Sequence, residues 1–393
     1  MSIAVWLVVA WSALGAVSSV LFLHGAVMLV RRCPQLEDLD PPDPPSWPAV
    51  SVVVPACNEA RVIEAAVASL LAQDYPHLQI VLVDDRSTDG TAEIAEGLAA
   101  SDARVSVIHV RELPTAWLGK VHALQRGVER ACGRWILFTD ADIHFAPRAL
   151  RRAVAWAEAE RLDHVALLAE LATPSVWVSA CLTSSLRGLL ALLRPWEAND
   201  PRSPKAIGTG AFNLVRRAAF DRTPGFEWLR LEVADDIGLG LMMKRSGART
   251  RLLLGRGQVL NEGYATLGDA VRGLEKNAFA QGARFAPGRG AALAGLGVVG
   301  AFAPFAAFLP VGLPGLPAVG AAALAAFVAA AFVFTRACRE SPFGVLLSLP
   351  VGDLLMSYVV ARATVLGVLR GGLVWRGTTY PTAMLRAGQR VRM

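Results

Sequence analysis

Apolar positions along the chain follow two different patterns. Residues 3–30 hold no charged side chain. At about 1.5 Å per residue such a stretch forms a helix long enough for a bilayer core of roughly 30 Å. Residues 291–334 are again apolar, rich in Ala and Gly, and interrupted at Pro310, Pro314 and Pro317. This predicts a helical hairpin, one span before Pro310 and one after Pro317, closed by Arg336 and Arg339. Residues 345–369 are apolar but carry Asp353 and Arg362, which fits a further span or a segment in the interface. Residues 176–193 are apolar apart from Ser179, Thr183, Ser184, Ser185 and Arg187, with Trp177 and Trp196 near the ends. That pattern suits a helix at the membrane surface as well as it suits a core helix.

Between these stretches, residues 49–170 alternate short β-branched runs with helical periodicity. Strands are predicted at 50–54, 80–83, 105–110 and 135–138, and helices at 61–71 and 120–131. This is the βαβ rhythm of an α/β domain, a mostly parallel sheet with helices on both faces. Helices are also predicted at 237–246 and 267–285, the latter leading into the second span. The organisation expected is an anchor at 1–30, a linker at 31–48, a soluble domain at 49–285, membrane or interfacial helices at 286–370, and a basic tail at 371–393. Pro41, Pro42, Pro44, Pro45 and Pro48 should hold the linker extended and space the domain off the membrane.

Charge sets the orientation. Arg31 and Arg32 follow the first apolar stretch, and no basic residue precedes it. A cleaved signal peptide would have the reverse charge order. The positive-inside rule puts the N-terminus outside and residue 31 onward in the cytoplasm of a multi-pass cell-membrane protein. The tail, with Arg376, Arg386, Arg390 and Arg392, would be cytoplasmic too. The net charge of +6 suits anionic lipid or a phosphorylated ligand. There is no zinc-finger spacing, aromatic RNA-binding motif or lysine-rich run, so nucleic acid is not an expected partner. The five cysteines are scattered, odd in number and form no CxxC, so neither a zinc site nor a disulfide framework is indicated.

The chemistry lies where the predicted strands end. In α/β sheets, ligands bind beyond the carboxyl ends of the strands. The first strand runs into Pro55-Ala56-Cys57-Asn58-Glu59, the second into Asp84-Asp85-Arg86-Ser87-Thr88-Asp89-Gly90, and the fourth into Thr139-Asp140-Ala141-Asp142. Singly, each could be a cap or a solvated turn. Asp140 and Asp142, one residue apart after a buried strand, make a hard-oxygen site suited to Mg²⁺ or Mn²⁺. Asp235 and Asp236 open the predicted helix at 237–246, as either a cap or a functional pair.

These pieces together resemble family 2 glycosyltransferases, which have the GT-A nucleotide-sugar-binding fold. The resemblance spans roughly residues 49–285. It adds Gly119-Lys120, Gly208-Thr209-Gly210-Ala211-Phe212 and Gln281-Gly282-Ala283-Arg284-Phe285 to the acidic motifs above. With Trp117-Leu118-Gly119-Lys120 and the membrane layout, the chain looks like the branch that glycosylates lipids, such as ceramide, carotenoid and hopanoid-associated transferases. The resemblance implies a nucleotide-diphosphate sugar as donor, bound by Pro55, Glu59, Asp84, Asp85, Lys120, Asp140, Gln281 and Arg284. It implies a metal on Asp142 and Asp140, an acceptor side at Gly208, Gly210 and Phe285, and a catalytic base at Asp236 or Asp235.

The sequence departs from the family at two points. Its acidic pair is Asp-Asp where the family usually has Glu-Asp, and its QxxRW-type motif ends in Phe285. A processive polysaccharide synthase would want an intact Trp there and more spans. A transporter would want polar residues facing one another across several spans. A non-catalytic sugar-nucleotide-binding membrane protein would not need the acids retained at every expected position. The reading carried forward is an inverting hexosyltransferase acting on a hydroxyl or carboxyl of a membrane lipid.

Overall fold

The structure, a computed structural model, describes residues 2–173 and 175–392. Helix α1 (Ile3–Arg32) starts with the Ser2 hydroxyl accepting the Val5 N–H and ends with Arg31 and Arg32, cations that favour the carboxyl end of a helix. An alternating unit follows, with β1 (Val50–Ala56), α2 (Ile63–Leu71), β2 (Leu78–Asp85), α3 (Thr91–Ser101), β3 (Val105–Val110), α4 (Gly119–Arg130) and β4 (Trp135–Phe138). Next come β5 (Ile143–Phe145), α5 (Ala149–Ala159), β6 (His164–Leu168), β7 (Glu170–Leu171), α6 (Val176–Leu193), β8 (Asn213–Arg216), α7 (Arg217–Phe220), α8 (Asp235–Arg245), β9 (Thr250–Leu254) and β10 (Val259–Asn261). The remainder is α9 (Leu267–Asn277), α10 (Pro287–Phe302), α11 (Leu316–Cys338), α12 (Pro342–Leu347), α13 (Asp353–Leu369), β11 (Gly372–Trp375), β12 (Thr378–Pro381) and α14 (Thr382–Gly388).

The main sheet has seven strands in the order β3-β2-β1-β4-β8-β6-β9. It is parallel except for β8, which runs against both β4 and β6. The two faces are sorted by alternation. Val53, Val81, Val83, Ile136 and Phe138 pack on the α4 side. Val50, Val52, Val54, Ile80, Leu82, Trp135 and Leu137 pack on the α2 and α5 side. Both faces are covered, so β1 and β2 read as continuous hydrophobic runs. Each such side chain contributes about 1.5–3 kcal/mol when fully buried. The chain winds outward from β1 to β3 on one side and resumes with β4 on the other. The topological switch therefore falls between β1 and β4, where the crevice for a ligand opens.

Among the described residues, five helices are long and apolar enough to cross a membrane: α1, α6, the stretch 287–308 that includes α10, α11, and the stretch 342–369. Those in the predicted hairpin separate at the prolines as expected. The stretch 342–369 is broken, because Leu349 leaves helical geometry between α12 and α13. Its charges are drawn inward. Asp353 meets Arg187 of α6 at 3.3 Å and accepts from the Ser184 hydroxyl at 2.5 Å, while Arg362 pairs with Glu275 of α9. Buried partners are what make ionisable groups tolerable at such positions. Trp196 is buried edge-on against His24 and is not free to sit at an interface, whereas Trp177 is exposed.

Two expectations need correction. Residues 31–48 do not hold the domain at a distance. Leu36 is fully buried in the α2 and α5 layer, Gln35 bridges to Leu254, Glu37 pairs with Arg256, and Trp47 stacks edge-on against Tyr75. Leu36 and Trp47 bury more apolar surface by lying down than an extended linker would. Nor is the basic tail expected at 371–393 a separate segment: residues 371–392 pack onto the domain. They form the β11–β12 hairpin and α14, with Tyr380 and Leu385 in the core.

Candidate active site

The crevice at the switch point is a cleft of about 510 Å³. Pro55, Ala56, Cys57 and Glu59 reach it from the end of β1, Asp85 and Arg86 from β2, Gly119 and Lys120 from the start of α4, and Asp140 and Asp142 from the loop after β4. Arg272, Gly273 and Lys276 of α9 form the facing wall, with Trp375, Arg376 and Tyr380 of the hairpin. A Thr266–Asp269 capping box fixes the start of α9.

Lys120 joins two groups of acids. Its ammonium lies 2.7 Å from Asp140 Oδ1 and 3.3 Å from Asp235 Oδ2. Burial works against that charge, but Asp140, Asp235 and Asp236 outweigh it and hold the ammonium above its ordinary pKa. Asp235 and Asp236 lie in the first turn of α8, where the dipole favours carboxylates. The N-cap is Ala234, so neither acid serves as the cap. Asp235 is buried; Asp236 is half-buried and accepts the Ile237 N–H through Oδ1. Loss of water, then the adjacent Asp235 carboxylate, pushes Asp236 up to about 6. Burial, then Asp140, pushes Asp142 up to about 6 as well.

The Gly208-Thr209-Gly210 loop lies between these acids. A Cβ at Gly210 would come within 2.3 Å of Asp140 Oδ2, and one at Gly208 within 1.9 Å of the Asp236 carbonyl oxygen. The Gly210 carbonyl accepts the Asp140 N–H, and the Thr139 hydroxyl donates to the Ala211 carbonyl. Only glycine allows the backbone this close.

Residues 51–223 match the sequence model of Glycosyl transferase family 2. The chain carries a family 2 glycosyltransferase domain. It is 39% identical over 98 residues to TuaG of Bacillus subtilis, described as a teichuronic acid biosynthesis glycosyltransferase (25% of this chain, 37% of that protein). It is 35% identical over 97 residues to the 4,4'-diaponeurosporenoate glycosyltransferase of Staphylococcus aureus (25% of this chain, 24% of that one). The chain thus spans about a quarter to a third of these relatives. Among solved structures, the mannosyltransferase PcManGT from Pyrobaculum calidifontis, in complex with GDP-Man and Mn²⁺, superposes with a TM-score of 0.54 at 23% identity, over 90% of this chain and 97% of that one. The glycosyltransferase domain has the GT-A fold.

Not every residue expected at the site of this glycosyltransferase domain lines the cleft. Pro55, Glu59, Asp85, Lys120, Asp140 and Asp142 do. Asp84 is turned aside, accepting the Ser87 N–H through Oδ1 and meeting His109 Nδ1 at 3.0 Å. Gln281 is buried and donates to Glu232. After α9 the backbone widens into a π-helical turn at 278–282, and Arg284 and Phe285 both adopt positive φ. This folds the Phe285 ring inward onto Phe279, centroids 5.5 Å apart, so it offers no exposed platform. Arg284 does not line the cleft.

Conversely, Lys276, Tyr264, Trp375, Arg376 and Tyr380 line it without having been anticipated. The alternation Leu373-Val374-Trp375-Arg376-Gly377-Thr378-Thr379-Tyr380 carried a hairpin signal, since a glycine at the turn separates two β-prone runs.

The acids at the end of β4 fit a divalent ion. Asp142 Oδ1 is buried without a hydrogen-bond partner among the described residues. Asp140 presents its carboxylate alongside. Two hard oxygen donors, one of them unmet, fit Mg²⁺ or Mn²⁺ whose remaining ligands are water and phosphate oxygen. No cluster of three or more His, Cys, Asp or Glu suited to a metal occurs among the described residues, so the protein does not supply a closed cage.

Proposed function

We propose that this protein is an inverting glycosyltransferase that moves a hexose from a nucleotide-diphosphate sugar, with UDP-sugars first among donors, to a hydroxyl or carboxyl group of a membrane lipid. The observation that carries the reading is Lys120. One ammonium links Asp140, on the donor side of the cleft, to Asp235, beside the half-buried Asp236. Donor acids and a candidate base thus belong to one electrostatic unit.

In this reading Asp236 takes the proton from the acceptor hydroxyl as that oxygen attacks the anomeric carbon. The bond from that carbon to the diphosphate oxygen breaks on the opposite face, and its electron pair leaves with the nucleoside diphosphate. A single displacement inverts the anomeric centre. Asp235, paired with Lys120, holds the ammonium beside the reacting groups. Asp140 and Asp142 would hold a divalent ion, which when bound would offset charge on the leaving diphosphate. The Mn²⁺ and GDP-Man bound by PcManGT support a donor and metal of this kind.

The lipid acceptor is supported by the apolar helices that continue directly from the facing wall of the cleft, α9 leading to α10. A relative named for 4,4'-diaponeurosporenoate is consistent with it. The positive-inside rule supports a cytoplasmic cleft in a cell-membrane protein. In this topology α1, α10 and α11 span, and the broken stretch 342–369 enters and returns on the side of the domain.

The deciding experiment is a donor screen. Purified protein in detergent, with Mg²⁺ or Mn²⁺ and total membrane lipid, is given radiolabelled UDP- and GDP-sugars, and label is followed into the organic phase. Label in a discrete lipid band is the result expected. Label confined to high-mass material would instead point to a polysaccharide synthase, and bound nucleotide without any transfer to a binding protein.

A further inference from the structure

Most cations lining the cleft are already neutralised. Arg86 is bidentate on Asp85, Lys120 lies between Asp140 and Asp235, Arg272 pairs with Asp269, and Arg376 pairs with Glu59. Lys276 differs. Among the described residues it has no carboxylate within ion-pair distance and no hydrogen bond. Its ammonium sits over the Trp375 ring, 3.9 Å from the centroid. A π face attracts the charge but satisfies none of its three N–H donors. Loss of water, then repulsion from Lys120, lowers its pKa. A half-buried ammonium in this condition is poised for an anion.

The hairpin that carries Trp375 is fixed to the same cleft. The Tyr380 hydroxyl accepts the Gly119 N–H at 3.2 Å, beside Lys120. At the hairpin tip Arg376 and Gly377 both take positive φ, the geometry of a tight two-residue turn. That turn presents the Arg376 guanidinium to Glu59 at the rim, where the 510 Å³ cleft meets a neighbouring cavity of about 820 Å³. Burial pushes Glu59 up to about 7 against the pull of Arg376, so its hold on the guanidinium is readily exchanged.

We propose that Lys276 and Arg376 are the protein's cationic ligands for the donor diphosphate, which makes the C-terminal hairpin a wall of the active site. This rests on the nucleotide-sugar reading above. Asp140 and Asp142, which would hold a divalent ion, line the same cleft, so a diphosphate between the two walls would face them on one side and Lys276 and Arg376 on the other. As the anomeric bond breaks, the charge arriving on the leaving oxygen develops beside an ammonium that no carboxylate has claimed.

The test uses the full chain in detergent with Mg²⁺ and compares affinities for UDP, GDP, uridine and guanosine. Lys276→Met is expected to weaken binding of the preferred nucleoside diphosphate by about tenfold or more and to leave the matching nucleoside unchanged. Lys276→Arg should restore most of the loss. Arg376→Gln, at an accessible hairpin tip, should act in the same direction, and it carries the test if Lys276→Met fails to fold. A parent chain that binds nucleoside diphosphate, with variants that bind it equally well, overturns this proposal alone. Equal loss of nucleoside and diphosphate in a folded variant also overturns it, since it would mark a structural role. A parent chain that binds neither diphosphate overturns it together with the donor reading.

Discussion

Gly208 approaches Asp236 so closely that a methyl group on its Cα would sit 1.9 Å from the Asp236 carbonyl oxygen. The glycine therefore sets where the first turn of α8 can lie. Gly208→Ala should push that turn away, costing about 1–3 kcal/mol of stability. A displacement near 1 Å at Asp236, the proposed base, should lower transfer by about a hundredfold. Thermal denaturation and turnover measured on the same preparation check both. Full activity would mean that the position of α8 is not critical to the reaction.

Asp236→Asn is expected to abolish transfer while donor binding persists. The sign of the pH dependence follows from the raised pKa. A base pushed up to about 6 is protonated, and idle, below that pH. The parent rate should fall about tenfold per pH unit below 6 and level off above it. Asp235→Asn should disturb Lys120 instead. A full rate in Asp236→Asn, with its pH profile intact, would move the base role to Asp235.

Asp142→Ala removes the carboxylate whose Oδ1 has no partner among the described residues. Titration of donor with and without Mn²⁺ should then lose the metal-dependent gain in affinity, by about tenfold or more, each decade being ~1.4 kcal/mol. The same Mn²⁺ dependence in the variant would remove Asp142 from the metal site.

Arg187→Leu leaves Asp353, among the described residues, with the Ser184 hydroxyl as its side-chain partner. A half-buried carboxylate left uncompensated should cost about 1–3 kcal/mol. The double variant Arg187→Leu with Asp353→Leu should recover much of it. Denaturation in detergent micelles measures both, and an additive double variant would argue that the pair is not coupled.

Tags on the two termini test orientation. On intact cells, external protease should remove an N-terminal tag and spare a C-terminal one. A protected N-terminal tag contradicts the topology.

The parallel half of the sheet was legible because β1, β2, β3 and β4 are short apolar runs bounded by turn chemistry, and their boundaries shifted by at most a few residues. Asp140, Asp142, Asp235 and Asp236 were legible because carboxylates beyond buried strands and at the start of a helix are few. What the sequence hid was tertiary. Phe285 and Gln281 sit in a readable motif, but the π-helical turn at 278–282, which contains Gln281 and precedes Phe285, aims both side chains inward. Lys276 and Arg376 lie far apart in the chain, and nothing local says that a C-terminal hairpin returns to β1. Leu36 looked like linker because Pro41, Pro42, Pro44, Pro45 and Pro48 follow it, yet its burial, with the contacts of Gln35, Glu37 and Trp47, docks the segment.

That docking has a geometric consequence. With Leu36 plugged into the core and Glu37 tied to Arg256, the last turn of α1 and the sheet move as one rigid body. With α1 across a bilayer, as proposed, the cleft would stand at a fixed height above it and could not swing on a tether. An enzyme built this way would act as a depth gauge. On the proposed lipid-acceptor reading, it should glycosylate acceptors whose reactive group rests at one level of the headgroup region, and pass over chemically identical groups held a few ångströms higher or lower.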